Sequence, residues 1–186
     1  MPLTDIAPSA PLAATQPVAA GATLEAVLRD YGASLARIAR IYAPRPADRE
    51  DLLQEIAVAL LRALPRFRGE SALGTFVYRV ALNRAITRRA RREPEALDLG
   101  AIPEPSDPAP GPEQRQLEAE RRERLVAAIR RLPDSLGEVV ALSLEGLSHG
   151  EIAAVLGLSE NNVAVRALRA RALLRQWLED ANEPGR

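Results

Sequence analysis

Six prolines fall within residues 93–113, at positions 94, 103, 105, 108, 110 and 112. Proline fixes φ and has no backbone N–H to donate, so neither a helix nor a central strand runs through such a stretch. The segment is therefore expected to be an extended tether, and the chain must fold as a block on either side of it. Charge follows the same division. Residues 22–92 carry 14 arginines against 7 acids, residues 93–120 carry 8 acids against Arg115 alone, and residues 121–180 carry 9 arginines against 8 acids. A net charge of zero over 186 residues thus conceals a basic block, an acidic segment and a mixed block. Segregation of this kind is compatible with an anionic partner such as nucleic acid.

Both blocks read as helical. In the first, Leu24, Val27, Leu28, Tyr31, Leu35, Ile38 and Tyr42 recur at helical spacing until Pro44 and Pro46 interrupt them. A second helix is expected from near Ala47, with Leu52, Leu53, Ile56, Ala57, Leu60, Leu61 and Leu64 as its apolar stripe and Pro65 as its stop. Ser71 is a plausible N-cap for a third, running to about Arg92. The second block is expected to hold a helix from about Glu113 to Leu132, a short one over Ser135–Leu144, and a closing pair. Ser148 and Glu151 have capping-box spacing, Gly157 supplies a left-handed stop, and Ser159 caps a last helix to about Leu178. No segment alternates with period 2, so the class is all-α, two small helical domains on a flexible linker. The expected boundaries are a disordered tail over 1–21, domains over 22–92 and 114–180, a linker over 93–113 and a tail over 181–186.

Composition removes several classes of chemistry. The chain has no cysteine and one histidine, His149, so thiolate chemistry, disulfide scaffolds and multi-histidine metal sites are excluded. No phosphate-cradling glycine loop occurs, and carboxylates are scattered over helix surfaces. No catalytic residue, metal site or cofactor is expected. No apolar run approaches the ~18 residues that span a bilayer, and the first 21 residues lack the build of a secretory signal. A cytoplasmic protein without direct membrane insertion is expected.

Glu151 to Ser159 joins two helices by a short turn containing Gly157, the layout of a helix-turn-helix whose second helix enters the major groove. In that second helix Val163, Ala167, Ala170, Leu174 and Trp177 share one face. Asn161, Val165, Leu168, Arg169 and Ala172 point the opposite way, flanked by Asn162 and Ala164. Asparagine pairs with adenine, arginine with guanine, and valine or leucine touches a thymine methyl. Arg166, Arg171 and Arg175 are placed for phosphates. A small helical bundle with a solvated arginine face is the plainer alternative, and for His149 a surface or cap role is expected.

In the first block, Gln54, Glu55, Val58 and Arg62 lie within about 60° of Asp51 on a helical wheel, opposite the apolar stripe. This is either an ordinary solvated face or a docking face for a basic partner. The loop Arg66-Phe67-Arg68-Gly69-Glu70-Ser71 sets an aromatic between arginines. Thr75, Arg79 and Asn83 follow at i, i+4, i+8 beside Phe76 and Tyr78, and then come Arg84, Arg88, Arg89, Arg91 and Arg92. Arginines supply phosphate contacts and aromatics stack on unpaired or extruded bases, although Phe67 and Phe76 taken alone read as core.

Three of these motifs, in this order, resemble a sigma factor of bacterial RNA polymerase of the extracytoplasmic-function (ECF) type. Asp48 to Ile56 is similar to that family's polymerase-docking helix, and Phe67–Ser71 with Thr75–Ala81 resembles its −10 loop and helix. Leu147 to Ser159 with Val163, Arg166, Arg169, Ala170 and Arg171 resembles its −35 helix-turn-helix. The resemblance spans roughly residues 22–92 and 115–178. It departs from the family pattern at Phe76, where tryptophan is frequent, and at Asn161-Asn162-Val163-Ala164, where Gly-Thr-Val and a basic residue are frequent.

The resemblance implies a factor that binds core polymerase, places it on promoters through −35 and −10 elements and assists melting, with no catalysis of its own. Asp48, Asp51, Gln54 and Glu55 would hold the polymerase. Phe67, Arg68, Gly69, Glu70, Ser71, Thr75, Phe76, Arg79 and Asn83 would act at the −10 element. Asn161, Asn162, Ala164, Val165, Arg166, Leu168, Arg169 and Arg171 would read the −35 element. The implied partners are the coiled coil of the largest polymerase subunit, the flap of the second-largest subunit, promoter DNA and an anti-sigma factor, with one copy of the chain per holoenzyme. A DNA-binding repressor or a helical adaptor explains part of the pattern, the former only the helix-turn-helix.

Overall fold

The structure, a computed structural model, describes residues 22–91 and 112–180. Expectations for the tail over 1–21, for most of the tether and for residues 181–186 lie outside the described residues. The described residues form seven α-helices, in order α1 Leu24–Tyr42, α2 Pro46–Ala63, α3 Leu73–Arg91, α4 Pro112–Arg131, α5 Asp134–Leu144, α6 His149–Leu156 and α7 Glu160–Asp180. A 3-10 turn, Leu64–Arg66, extends α2. The described residues contain no strand.

The first three helices form one bundle. The Thr23 hydroxyl accepts from the Ala26 N–H at 3.2 Å and opens α1. Pro46 opens α2 at a first-turn position, where a missing N–H costs nothing. Val27, Leu35 and Ile38 of α1, Leu52, Ile56 and Leu60 of α2, and Val77, Ala81, Leu82 and Ala85 of α3 are buried at helical spacing. Ser71 does not cap α3. Its hydroxyl donates to the Ala72 carbonyl at 3.4 Å, and the first helical turn closes from the Phe76 N–H onto Ala72.

The other four helices form the second bundle, around Ile129, Leu132, Val139, Leu142, Ile152, Val155, Val163, Ala170 and Leu174. Helix α4 takes in Pro112, which was expected to belong to the tether, one residue ahead of the expected helix start at Glu113. Proline at the first position of a helix loses no hydrogen bond, so the tether's last proline serves as a helix start. The capping box at α6 is complete. Ser148 Oγ accepts from the Glu151 N–H at 3.3 Å, and Glu151 Oε2 accepts from the Ser148 N–H at 2.7 Å. Gly157 sits in the left-handed region at φ 68°, a conformation natural to glycine, and turns the chain from α6 into α7. Ser159 Oγ then accepts from the Asn162 N–H at 3.3 Å.

The two bundles pack against each other, α3 on α6 and α1 on α4, so that their buried residues form one cluster. No helix among the described residues is long and apolar enough to cross a membrane.

Candidate nucleic-acid and polymerase interfaces

Three surfaces hold the residues singled out in the sequence. The first is the loop between α2 and α3. Gly69 has φ 76°, which permits the reversal between Phe67 and Ser71. The rings of Phe67 and Phe76 meet at 4.9 Å between centroids, tilted by 45°. Around them opens a cavity of about 860 Å³ lined by Pro65, Arg66, Phe67, Arg68, Glu70, Ser71, Phe76 and Arg79. Neither ring is fully buried. The cavity thus offers aromatic surface beside three guanidinium groups and one carboxylate. Such a lining suits a flat aromatic ligand attached to an anionic chain. Arg66 and Pro65 belong to the cavity although the sequence reading left them out of the site. Thr75 is half-buried away from it, and exposed Asn83 lies on the next turns of α3.

The second surface is the outer face of α2. Asp51 and Gln54 are exposed and Glu55 is half-buried. Asp48 is not presented at the surface at all, being only 7% exposed. Arg88 of α3 explains the arrangement. Its Nη2 lies 3.7 Å from Asp48 Oδ1 and 3.3 Å from Asp51 Oδ2, and its Nη1 donates to Glu55 Oε1. Arg84 adds a longer contact to Glu55 at 4.0 Å. The carboxylates therefore have fixed positions and are partly neutralised from within. Val58 and Leu61 stand exposed beside them, at 45% and 57%. Apolar side chains within a polar face mark a surface suited to a protein partner. Helical spacing already showed Val58 there, but only packing shows that Leu61 leaves the core stripe.

The third surface is α7. Val163, Ala167, Ala170 and Leu174 are buried against α4, α5 and α6, and Arg131 of α4 lies 4.5 Å from the centre of the Trp177 ring. Opposite them Asn161, Asn162, Val165, Leu168, Arg169 and Arg171 are exposed, Leu168 at 69%. Ala164 and Arg166 are half-buried at the margin. Arg166 acts on Glu138 of α5, whose carboxyl is raised by burial, lowered by Arg166 and raised by Asp134, with a net rise above the usual carboxylate range. His149 is exposed in the first turn of α6.

Arg79 departs from expectation. Its guanidinium turns toward α6, where Nε donates to the Val155 carbonyl at 3.1 Å and Nη2 to the Ala154 carbonyl at 2.5 Å. It thus borders the aromatic cavity and also a cleft of about 320 Å³ between the bundles, lined by Leu82, Asn83, Ile86, Glu138, Val155, Leu156 and Gly157.

Comparison with known proteins assigns both bundles. Residues 27–94 match Sigma-70 region 2, and residues 122–174 match Sigma-70, region 4. The ECF RNA polymerase sigma-E factor of Escherichia coli (strain K12) is 34% identical over 152 residues, which cover 76% of this chain and 78% of that protein. The sigma-E factor of Haemophilus influenzae is 32% identical over 145 residues, or 71% and 75% of the two chains. Among solved structures, CnrH in complex with the cytosolic domain of CnrY matches with a TM-score of 0.63 and 27% identity, over 86% of this chain and 89% of that one. The sigma factor RpoE in complex with the anti-sigma factor NepR from Bartonella quintana matches at 0.62 and 18%, over 83% and 96%, a likeness of fold. With both regions matched in order and sigma-E relatives aligned across three quarters of its length, the chain belongs to the ECF family of RNA polymerase sigma factors, which bind core polymerase and direct it to promoters.

Proposed function

We propose that the three surfaces divide the work of initiation among them. The outer face of α2, with Asp51, Gln54 and Glu55 exposed and Asp48 and Arg88 fixing them from below, docks on the coiled coil of the largest polymerase subunit. Helices α4–α7 meet the flap of the second-largest subunit and read the −35 duplex through α7. Asn161, Asn162, Val165, Leu168 and Arg169 face base edges, and Arg166 and Arg171 face phosphates. The cavity beside Phe67 and Phe76 receives a base extruded from the −10 element, while Arg66, Arg68, Arg79 and Asn83 follow the strand. Extruding a base costs a few kcal/mol, so a pocket that captures it converts binding energy into strand opening. The chain acts in the cytoplasm, one copy per holoenzyme, and an anti-sigma factor holds it inactive; the structurally similar RpoE of Bartonella quintana is bound to the anti-sigma factor NepR.

The observation that carries this reading is the cavity of about 860 Å³ that places two aromatic rings beside three arginines, contributed by the loop before α3 and the first turns of α3 itself. Neither a duplex-reading repressor nor a helical adaptor needs such a site. The test is transcription by purified core polymerase on a genomic fragment pool, with and without the protein. New transcripts sharing a −35/−10 pair are expected. Their absence with demonstrably active core would overturn the assignment.

A further inference from the structure

Helix α7 carries an uncharged line along its outer side. At 3.6 residues per turn, Asn161, Val165, Leu168 and Ala172 fall within a sector of about 60°, and between Asn161 and Ala172 no charged residue shares it. Arg169 and Arg171 stand on its two sides, each about 80° from Asn161 around the helix axis. All six residues are exposed. Leu168 is the most exposed large apolar side chain among the described residues. Among those residues, neither Val165 nor Leu168 belongs to the core cluster or to the apolar side chains packed against it. A lone exposed leucine needs no explanation. A valine, a leucine and an alanine in line between two arginines form an apolar ridge. Helix formation does not account for it either, because a branched side chain such as valine is a poor helix former.

An apolar ridge with cations on both sides matches the major groove of a duplex. Phosphates run along both edges of the groove, and the C5-methyl of thymine is the apolar group on its floor. An A·T pair presents that methyl beside an adenine edge that asparagine can pair, and Asn161 heads the ridge. A G·C pair presents the guanine acceptors and the cytosine amino group instead. Against valine or leucine these groups would lose water and gain no partner. Val165 and Leu168 are separated by about 4.5 Å along the helix axis, and base pairs step by about 3.4 Å, so the two side chains reach neighbouring pairs. An apolar protein partner has no need of the two flanking cations.

We propose that this ridge is a seat for thymine methyl groups: Val165 and Leu168 each receive the C5-methyl of a thymine at neighbouring pairs of the −35 duplex, and this apolar contact selects A·T over G·C there. The proposal rests on reading α7 as the −35 helix and names the chemical group that it selects. The flanking guanidiniums hold the helix in the groove, and the ridge supplies discrimination at the two pairs beneath it.

The test uses holoenzyme reconstituted from core polymerase and the full chain, on duplexes carrying the −35 element recovered from the transcripts. Each thymine of that element is replaced in turn by deoxyuridine, which removes the methyl and leaves the hydrogen-bonding edges intact. Affinity should fall about fourfold at each of two neighbouring pairs, the effect of withdrawing one buried methyl. Leu168→Ala should no longer distinguish thymine from deoxyuridine at one of these pairs, and Val165→Ala should lose the distinction at the other. Alanine at these exposed helical positions preserves the helix, so Tm should not fall. Equal binding of thymine and deoxyuridine at every position, with the −35 element still protected in a footprint, would overturn the proposal and leave α7 as the −35 helix. Losses in Leu168→Ala and Val165→Ala that are equal on both kinds of duplex would overturn it too. No protection of any −35 element by an active holoenzyme would overturn the reading of α7, and the proposal with it.

Discussion

Arg88 Nη2 lies 3.3 Å from Asp51 Oδ2, so an arginine of the strongly basic end of α3 supports a carboxylate on the outer face of α2. The Arg88 side chain is only 16% exposed, and the same group reaches buried Asp48. Arg88→Ala would remove the ion-pair contact to Asp48 and the hydrogen bonds to Asp51 and Glu55. Loss of a charged hydrogen-bonding partner costs on the order of 2 kcal/mol. A fall of that size in denaturant stability, with unchanged cooperativity, is the expected outcome. A variant as stable as the parent would show that the carboxylates do not need Arg88.

Gln54→Ala combined with Glu55→Ala removes exposed or half-exposed polar groups from α2 while leaving the buried Leu52, Ile56 and Leu60 in place. Affinity for core polymerase should drop at least tenfold, roughly 1.4 kcal/mol, with −35 duplex binding unaltered. Parallel loss of both would merge two surfaces that the structure keeps on separate bundles.

Phe67 contributes one ring to the cavity before α3. Stacking on a base is worth about 1–3 kcal/mol by alanine substitution. Phe67→Ala should reduce permanganate reactivity of −10 thymines in the polymerase complex by one to two orders of magnitude. Occupancy of the −35 element should persist in a footprint. Normal opening by this variant would move the melting function elsewhere.

Arg169 is exposed on α7, opposite buried Val163, Ala170 and Leu174. If its contact is to a base edge, Arg169→Ala costs about 1–3 kcal/mol and relaxes discrimination at one position of the −35 element. If its contact is to phosphate, the loss is uniform across sequences and the salt dependence becomes shallower. Binding measured on single-base variants of the duplex at two salt concentrations separates these outcomes.

Glu138 sets a pH dependence. Burial raises its carboxyl pKa, Arg166 opposes the rise and Asp134 adds to it. The folded state therefore holds the proton more tightly than the unfolded chain, and protonation favours folding. The penalty from this group is absent below the unfolded pKa, grows as pH rises from there to the raised folded value, and is complete above it. Glu138→Gln should raise Tm at neutral pH, and the difference should close as pH falls toward about 4. A Tm difference independent of pH would assign the effect to packing rather than charge.

The helices were legible because their signals are local. Ser148 and Ser159 each accept from the backbone N–H three residues on, and Gly157 has the positive φ its position demanded. Where local signals failed, a neighbour's geometry had priority. Ser71 bonds the adjacent carbonyl and leaves α3 to start at Leu73, and Pro112 begins a helix because a first turn asks nothing of its nitrogen. The division of α7 into a buried and an exposed face was also legible, since its buried stripe repeats every three or four residues.

The sequence by itself determined the seven helices of the described residues, the caps at Ser148, Gly157 and Ser159, the helix-turn-helix and the segregation of charge. Each of these depends on residues within one or two turns of one another. Only the tertiary structure decided which arginines find carboxylates, which find carbonyls and which stay exposed. On a helical wheel Arg37, Arg79, Arg88 and Arg130 are alike. In the fold Arg37 meets Glu145 across 108 residues, Arg79 meets Val155 across 76, and Arg130 meets Arg40 across 90. No local pattern encodes such pairs, because a guanidinium binds any acceptor that packing brings within about 3 Å.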